Sequence, residues 1–140
     1  MKVLIFLSLL ALAWAQENNC HCAMFISTGF AELIVHRLPP TTVADCDIES
    51  NGPCAAFCIA EWEYIFANGG LHFVNQVTGD TIGQESCQVL DKDYGMTNLQ
   101  ATKVHNNYQV CEGPWIWDGE ISRGNLCCVD GNFPGSCAGK

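Results

Sequence analysis

The residues best equipped for chemistry are ten cysteines: Cys20, Cys22, Cys46, Cys54, Cys58, Cys87, Cys111, Cys127, Cys128 and Cys137. Sulfur in such number either holds a metal as thiolate or is oxidised to bridges. Cys20-His21-Cys22 with Cys54 and Cys58 offers zinc-ligand types. That spacing matches no common finger, and an oxidising compartment favours disulfides. An even count in an exported chain implies that every cysteine is paired, although ten allow about 945 pairings. Local spacing narrows these. Cys54-x-x-x-Cys58 stacks two sulfurs on one helix face, and Cys20-x-Cys22 puts two on one strand face. A strand stapled to a helix follows, with Cys20 and Cys22 bridged to Cys54 and Cys58. The adjacent Cys127 and Cys128 must reach different partners, since neighbouring strand side chains point to opposite faces. The expectation is disulfides, with no metal and no cofactor.

Other candidate chemistry is sparser. His21, His36, His72 and His105 sit in no metal or nucleophile motif. Gly119-Glu-Ile-Ser122-Arg-Gly124 resembles a nucleophile elbow, but Glu120 stands where that motif needs glycine. A histidine–carboxylate pair assembled in space stays open. Asp45, Asp47 and Glu49, and separately Asp91 and Asp93, have calcium-ligand types. Neither stretch has EF-hand order: after Asp91 the required glycine falls at Met96, with Gly95 one place early. A solvated acidic loop is the simpler reading. Trp115 and Trp117 lie two apart, so an extended backbone turns both rings to one side, next to Asp118 and Glu120. Aromatic platforms flanked by carboxylates suit sugar-binding and protein-binding surfaces. These four residues are the candidate binding site. No catalytic residue is assigned, and the chain is expected not to be an enzyme.

The elements that must position these groups follow from patterning. Residues 1–15 read as a secretory leader: Lys2, an apolar run from Val3 to Leu12, then Ala13-Trp14-Ala15 before Gln16. That run is too short to span a bilayer, which takes about 20 residues. Residues 16–140 then form one secreted domain. Cys22–Thr28 and Ala31–Leu38 are strand-prone around Gly29 and predict a hairpin, with Pro39-Pro40 stopping the second run. Thr41–Gly52 reads as a polar, acidic connection. Pro53–Ala67 predicts a helix with Cys54, Cys58, Trp62 and Ile65 on one stripe, Phe57 and Phe66 widening it, and Asn68-Gly69-Gly70 ending it. Leu71–Val77 reads as extended. Asp80 predicts the cap of a second helix through Cys87 and Leu90 to Asp93, stopped at Gly95, although Gly83 is a poor helix former. Asn107–Cys111 and Leu126–Val129 read as short strands, separated by a turn-rich loop from Gly113 to Asn125. The fold class is α+β, a small disulfide-stabilised domain with a helix on short antiparallel strands and room for a second helix.

The net charge of −9 and pI near 4.6 argue against nucleic acid and anionic membranes, which need a basic footprint. Removing the leader also removes Lys2. No second long apolar run is present, so stable membrane insertion is not expected. The second half has a rhythm of its own: Gly83-Gln84-x-x-Cys87, Cys111-x-Gly113-Pro-Trp115, and Leu126-Cys127-Cys128-x-x-Gly131 with Cys137. It resembles secreted cysteine-rich proteins of invertebrates, molluscs especially. The resemblance implies an extracellular setting such as mucus, an egg or shell matrix, seminal fluid or a gland secretion, and no activity. The chain departs from the defensin scaffold, because its C-x-C precedes the helical C-x-x-x-C. The functions left are a non-catalytic binding or matrix protein recognising an extracellular protein or glycan, a secreted venom, defence or reproductive effector, a protease inhibitor using Glu112–Asn125 with Arg123, and an unrecognised hydrolase.

Overall fold

A computed structural model describes residues 18–137, so the expected leader lies outside the described residues. The strands are β1 (Asn19–Ser27), β2 (Glu32–Arg37), β3 (Thr41–Thr42), β4 (Leu99–Thr102), β5 (His105–Val110), β6 (Ile116–Ile121) and β7 (Leu126–Cys128). The helices are α1 (Asn51–Ala67) and α2 (Ile82–Tyr94), with 3-10 turns at Ile48–Ser50 and Gly70–His72. The result is the expected disulfide-stabilised α+β domain.

β1 and β2 form the predicted antiparallel hairpin, and β1 pairs on its other side with β5, giving the order β2-β1-β5-β6 with β3 beside the start of β1. β4 and β7 make a separate two-stranded sheet. Along β1, Cys20, Cys22, Met24 and Ile26 alternate toward the core, joining α1's stripe of Cys54, Cys58, Trp62 and Ile65; all eight are buried. Two parallel bridges, Cys20–Cys54 and Cys22–Cys58, fasten that strand to that helix, the staple expected from their spacing. Cys46–Cys111 ties the acidic connection to the end of β5. The vicinal pair diverges: Cys128 bridges to Cys87 on α2, and Cys127 to Cys137. The sulfurs of Cys20, Cys54 and Cys58 cluster within 4.8 Å of one another. They are stacked bridges, so they offer no thiolate to a metal.

Three expectations are corrected. Leu71–Val77 is not an extended segment: it begins in the 3-10 turn at Gly70–His72, and its one strand-like contact is the isolated bridge Val74↔Thr81. α2 is capped by Thr81, whose hydroxyl accepts from Gln84 N at 3.0 Å, rather than by Asp80. The span Gly113–Asn125 is not one loop, because Ile116–Ile121 forms edge strand β6, registered as Trp117 opposite Asn107 and Ile121 opposite His105. Its turn residues misled because Gly119 sits inside the strand at φ +97°, an irregularity rather than a reversal. The poor helix former Gly83 has a packing reason. A Cβ there would come within 2.3 Å of Phe133 Cδ2, so only glycine lets the C-terminal segment lie on α2.

Candidate functional site

The four residues of the candidate site fall on both faces of the sheet. Alternation along β1 turns Ala23 and Phe25 away from α1, so the row Ala23–Asn107–Trp117 lies on the outer face. There the two tryptophans part company. The Trp115 ring meets Phe25 edge-on at 5.3 Å, with Arg37 5.9 Å from its centre, and leaves Phe25 only 4 % exposed. Trp115 is therefore a lid over the outer face. Trp117 is 54 % exposed, yet it is held in place, its Nε1 donating to Glu120 O at 3.2 Å.

Asp118 and Glu120 face the helix side. Asp118 accepts from Asn106 Nδ2 at 2.8 Å, and the same amide donates to Cys58 O on α1 at 3.0 Å. Asp118 also accepts from Glu120 N. Burial raises its pKa above the ordinary carboxylate value, against hydrogen bonds from Glu120 N and Asn106 that lower it. Glu120 borders a groove of about 910 Å³ between the second half of α1 and the C-terminal segment. Asn106 is fully buried in the central strand. Asparagine is a poor strand residue, and its role became visible only with α1 and β6 in place.

The histidines give two carboxylate pairs. His36 Nδ1 lies 3.5 Å from Glu85 Oε1, and that carboxylate also accepts from Asn75 Nδ2 at 3.0 Å and Thr78 Oγ1 at 2.7 Å. Burial lowers the His36 pKa more than Glu85 raises it. His105 Nε2 lies 2.8 Å from Glu32 Oε1, and burial again lowers its pKa against the opposing pull of Glu32. His36 ties β2 to α2 and His105 ties β5 to β2, and neither pair aligns with a serine or cysteine nucleophile among the described residues. Ser122, in the elbow-like run, is 3 % exposed and donates to Gly124 O while accepting from Val104 N. Arg123 O accepts from Lys103 Nζ. An inhibitory loop must leave that carbonyl free for the protease's oxyanion site.

Asp91 and Asp93 sit on α2 rather than on a loop, and two residues apart on a helix their carboxylates diverge. Asp45, Asp47 and Glu49 are all exposed around the 3-10 turn. The feature that sequence reasoning missed is Phe30, at the tip of the β1–β2 hairpin and 101 % exposed. Its only mark in the sequence is an aromatic residue directly after the turn glycine.

Compared with known proteins, the chain matches no family model, no curated protein and no solved structure.

Proposed function

We propose that the chain is a secreted, non-catalytic binding protein that recognises an extracellular glycan or protein through the outer face of its sheet. Five disulfides suit an extracellular, disulfide-rich small protein. Among the described residues no helix is long and apolar enough to cross a membrane. The observation that carries the reading is Trp117. A large ring held by its own N–H, but left more than half in water, contributes little to the core and is pre-organised for contact. Its fixed orientation costs little further entropy on binding. Asp118 and Glu120 support this surface from beneath by holding the β6 irregularity, rather than touching the ligand beside the rings. The resemblance of the second half to secreted molluscan-type proteins is compatible with this setting.

The test is a glycan array read with wild type, Trp117→Ala and Trp115→Ala. Saccharide binding lost in Trp117→Ala, with its melting temperature unchanged, supports the reading. Binding that survives Trp117→Ala overturns the assignment of the site. No binding to any glycan moves the partner to protein.

A further inference from the structure

Trp115 and Trp117 are held in different ways. The Trp117 N–H donates to Glu120 O at 3.2 Å, which fixes that ring. The Trp115 N–H has no hydrogen-bond partner among the described residues. Its ring rests on the edge contact with Phe25 at 5.3 Å and on Arg37 at 5.9 Å. Such ring contacts are individually weak, so Trp115 is the looser of the two.

What lies under Trp115 follows from the sheet order. Trp115 directly precedes β6, and its ring reaches Phe25 on β1, with β5 between those strands. The ring therefore crosses β5 diagonally on the outer face, from the Trp117 side of the row Ala23–Asn107–Trp117 to the Phe25 side. Burial agrees with this path: Ala23 is fully buried and Asn107 is 8 % exposed. Asn107 Oδ1 is buried without a hydrogen-bond partner among the described residues. Asn106 Oδ1 shares that condition on the inner face, but its amide nitrogen bridges Cys58 and Asp118 and so joins α1 to β6. The Asn107 side chain joins nothing. A buried amide without partners lowers stability and is poorly suited to a strand, and buried polar groups are nearly always paired. Its place is explained by a donor that arrives from outside.

We propose that Asn107 is the hydrogen-bonding residue of a neutral-saccharide site on the outer face, opened when the Trp115 ring swings off it. This rests on the reading of Trp117 given above and adds to it a ligand class, a second contact and a gate. Trp117 stands directly opposite Asn107 in the strand register, so ring and amide share one face at neighbouring positions. A pyranose lays its C–H face on the fixed Trp117 ring, and one of its hydroxyls donates to Asn107 Oδ1. Ala23, Phe25, Asn107 and Trp117 carry no charge, a net charge of −9 repels anions, and a cation would meet Arg37. A neutral sugar avoids all three conflicts. Because the amide is reached only with the ring displaced, the closed state reduces the apparent affinity by the fraction of molecules that are open.

The experiment is a proton–nitrogen NMR titration of the full mature chain with cellotriose, mannotriose and triacetylchitotriose, each to about 10 mM. Binding of at least one is expected to shift the Trp117 indole and Asn107 side-chain amide signals together. Asn107→Val, an apolar side chain that strands favour, and the smaller Asn107→Ala are each expected to weaken that binding by about tenfold or more. Neither should lower the melting temperature, since each removes an unpaired buried amide. Trp115→Ala leaves the gate open and is expected to bind about two- to tenfold more tightly. Binding retained in both Asn107 variants overturns the proposal. So does a melting temperature that falls in both, which makes the amide structural, or binding lost in a folded Trp115→Ala, which makes that ring a contact rather than a gate. No binding of any of these sugars also overturns it, while leaving Trp117 as a surface for a protein. Binding that survives Trp117→Ala but not Asn107→Val overturns the reading of Trp117 instead and keeps Asn107 as the contact.

Discussion

On the inner face of the sheet Cys20, Cys22, Met24 and Ile26 are each at most 1 % exposed and lie against α1, with two bridges crossing the interface. On the outer face, among the described residues, no helix covers the strands. Phe25 is covered by the Trp115 ring, over which Arg37 lies, and Trp117, two residues further on, is 54 % exposed. One face is closed by covalent bonds and close packing, the other by a single ring. A protein that spends one tryptophan as a lid and leaves its neighbour in water separates stability from recognition on one strand. The contrast can be broken from either side.

The largest effect is expected from the inner face. Replacing Cys22 and Cys58 together by serine removes one rung of the staple while leaving Cys20–Cys54 in place. Loss of a native bridge in a small secreted domain costs about 2–5 kcal/mol, read as the fall in urea midpoint. A smaller effect than on the outer face would mean that the staple duplicates packing already sufficient. On the outer face Trp115→Ala uncovers Phe25 and is expected to cost about 2 kcal/mol, below the range for fully buried tryptophan. Trp117→Ala is expected to stay within about 0.5 kcal/mol, as surface substitutions do. Equal costs for the two tryptophans in parallel urea titrations would abolish the distinction between lid and contact residue.

The C-terminal segment repeats the inner-face logic with a glycine in place of a second bridge. Cys87–Cys128 joins α2 to β7, and Phe133 lies so close to Gly83 that a Cβ would stand 2.3 Å from its ring. Gly83→Ala should favour the helix intrinsically by about 1 kcal/mol. Overpacking against Phe133 outweighs that gain, leaving a net loss of about 1–2 kcal/mol. In a Phe133→Ala background the same substitution should turn neutral or stabilising. A cycle showing no such coupling would place the destabilisation elsewhere.

Legibility in the sequence follows the same division. The staple was readable because i,i+2 and i,i+4 spacings are local geometry, and α1 was readable because Pro53, the apolar stripe and Asn68-Gly69-Gly70 all agree. β6 was not, because Asp118 and Gly119 read as turn residues until Asn106, on another strand, holds the Asp118 carboxylate. The start of β5 was hidden by His105 and Asn106, polar residues in a central strand whose partners come from α1, β6 and β2. The tryptophan pair was visible as a pair. Its partition was not, since the ring of Trp115 packs between Phe25 and Arg37, both distant in sequence. Phe30 looked like an ordinary turn residue, because exposure is a property of what fails to pack on it.

The smallest effect we expect is a pH slope that again differs between the regions. His36 ties β2 to α2 and is more deeply buried than His105, which ties β5 to the hairpin through Glu32. Burial holds both folded-state pKa values below the ordinary 6.5, so the unfolded chain binds these protons more readily. Stability is therefore full above about pH 6.5. It falls as acidification proceeds from there to the depressed folded pKa, below which the loss is complete. Asp118 acts oppositely: its raised folded pKa makes the folded chain the better proton acceptor above 3.8, so further acidification returns part of the stability. Urea midpoints between about pH 7.5 and 4 should decline and then flatten. His36→Gln should remove more of the decline than His105→Gln, because the His105 site is more open to water and its charge better screened. A steeper residual slope in His36→Gln than in His105→Gln would reverse the order, making the hairpin clasp the more pH-sensitive join.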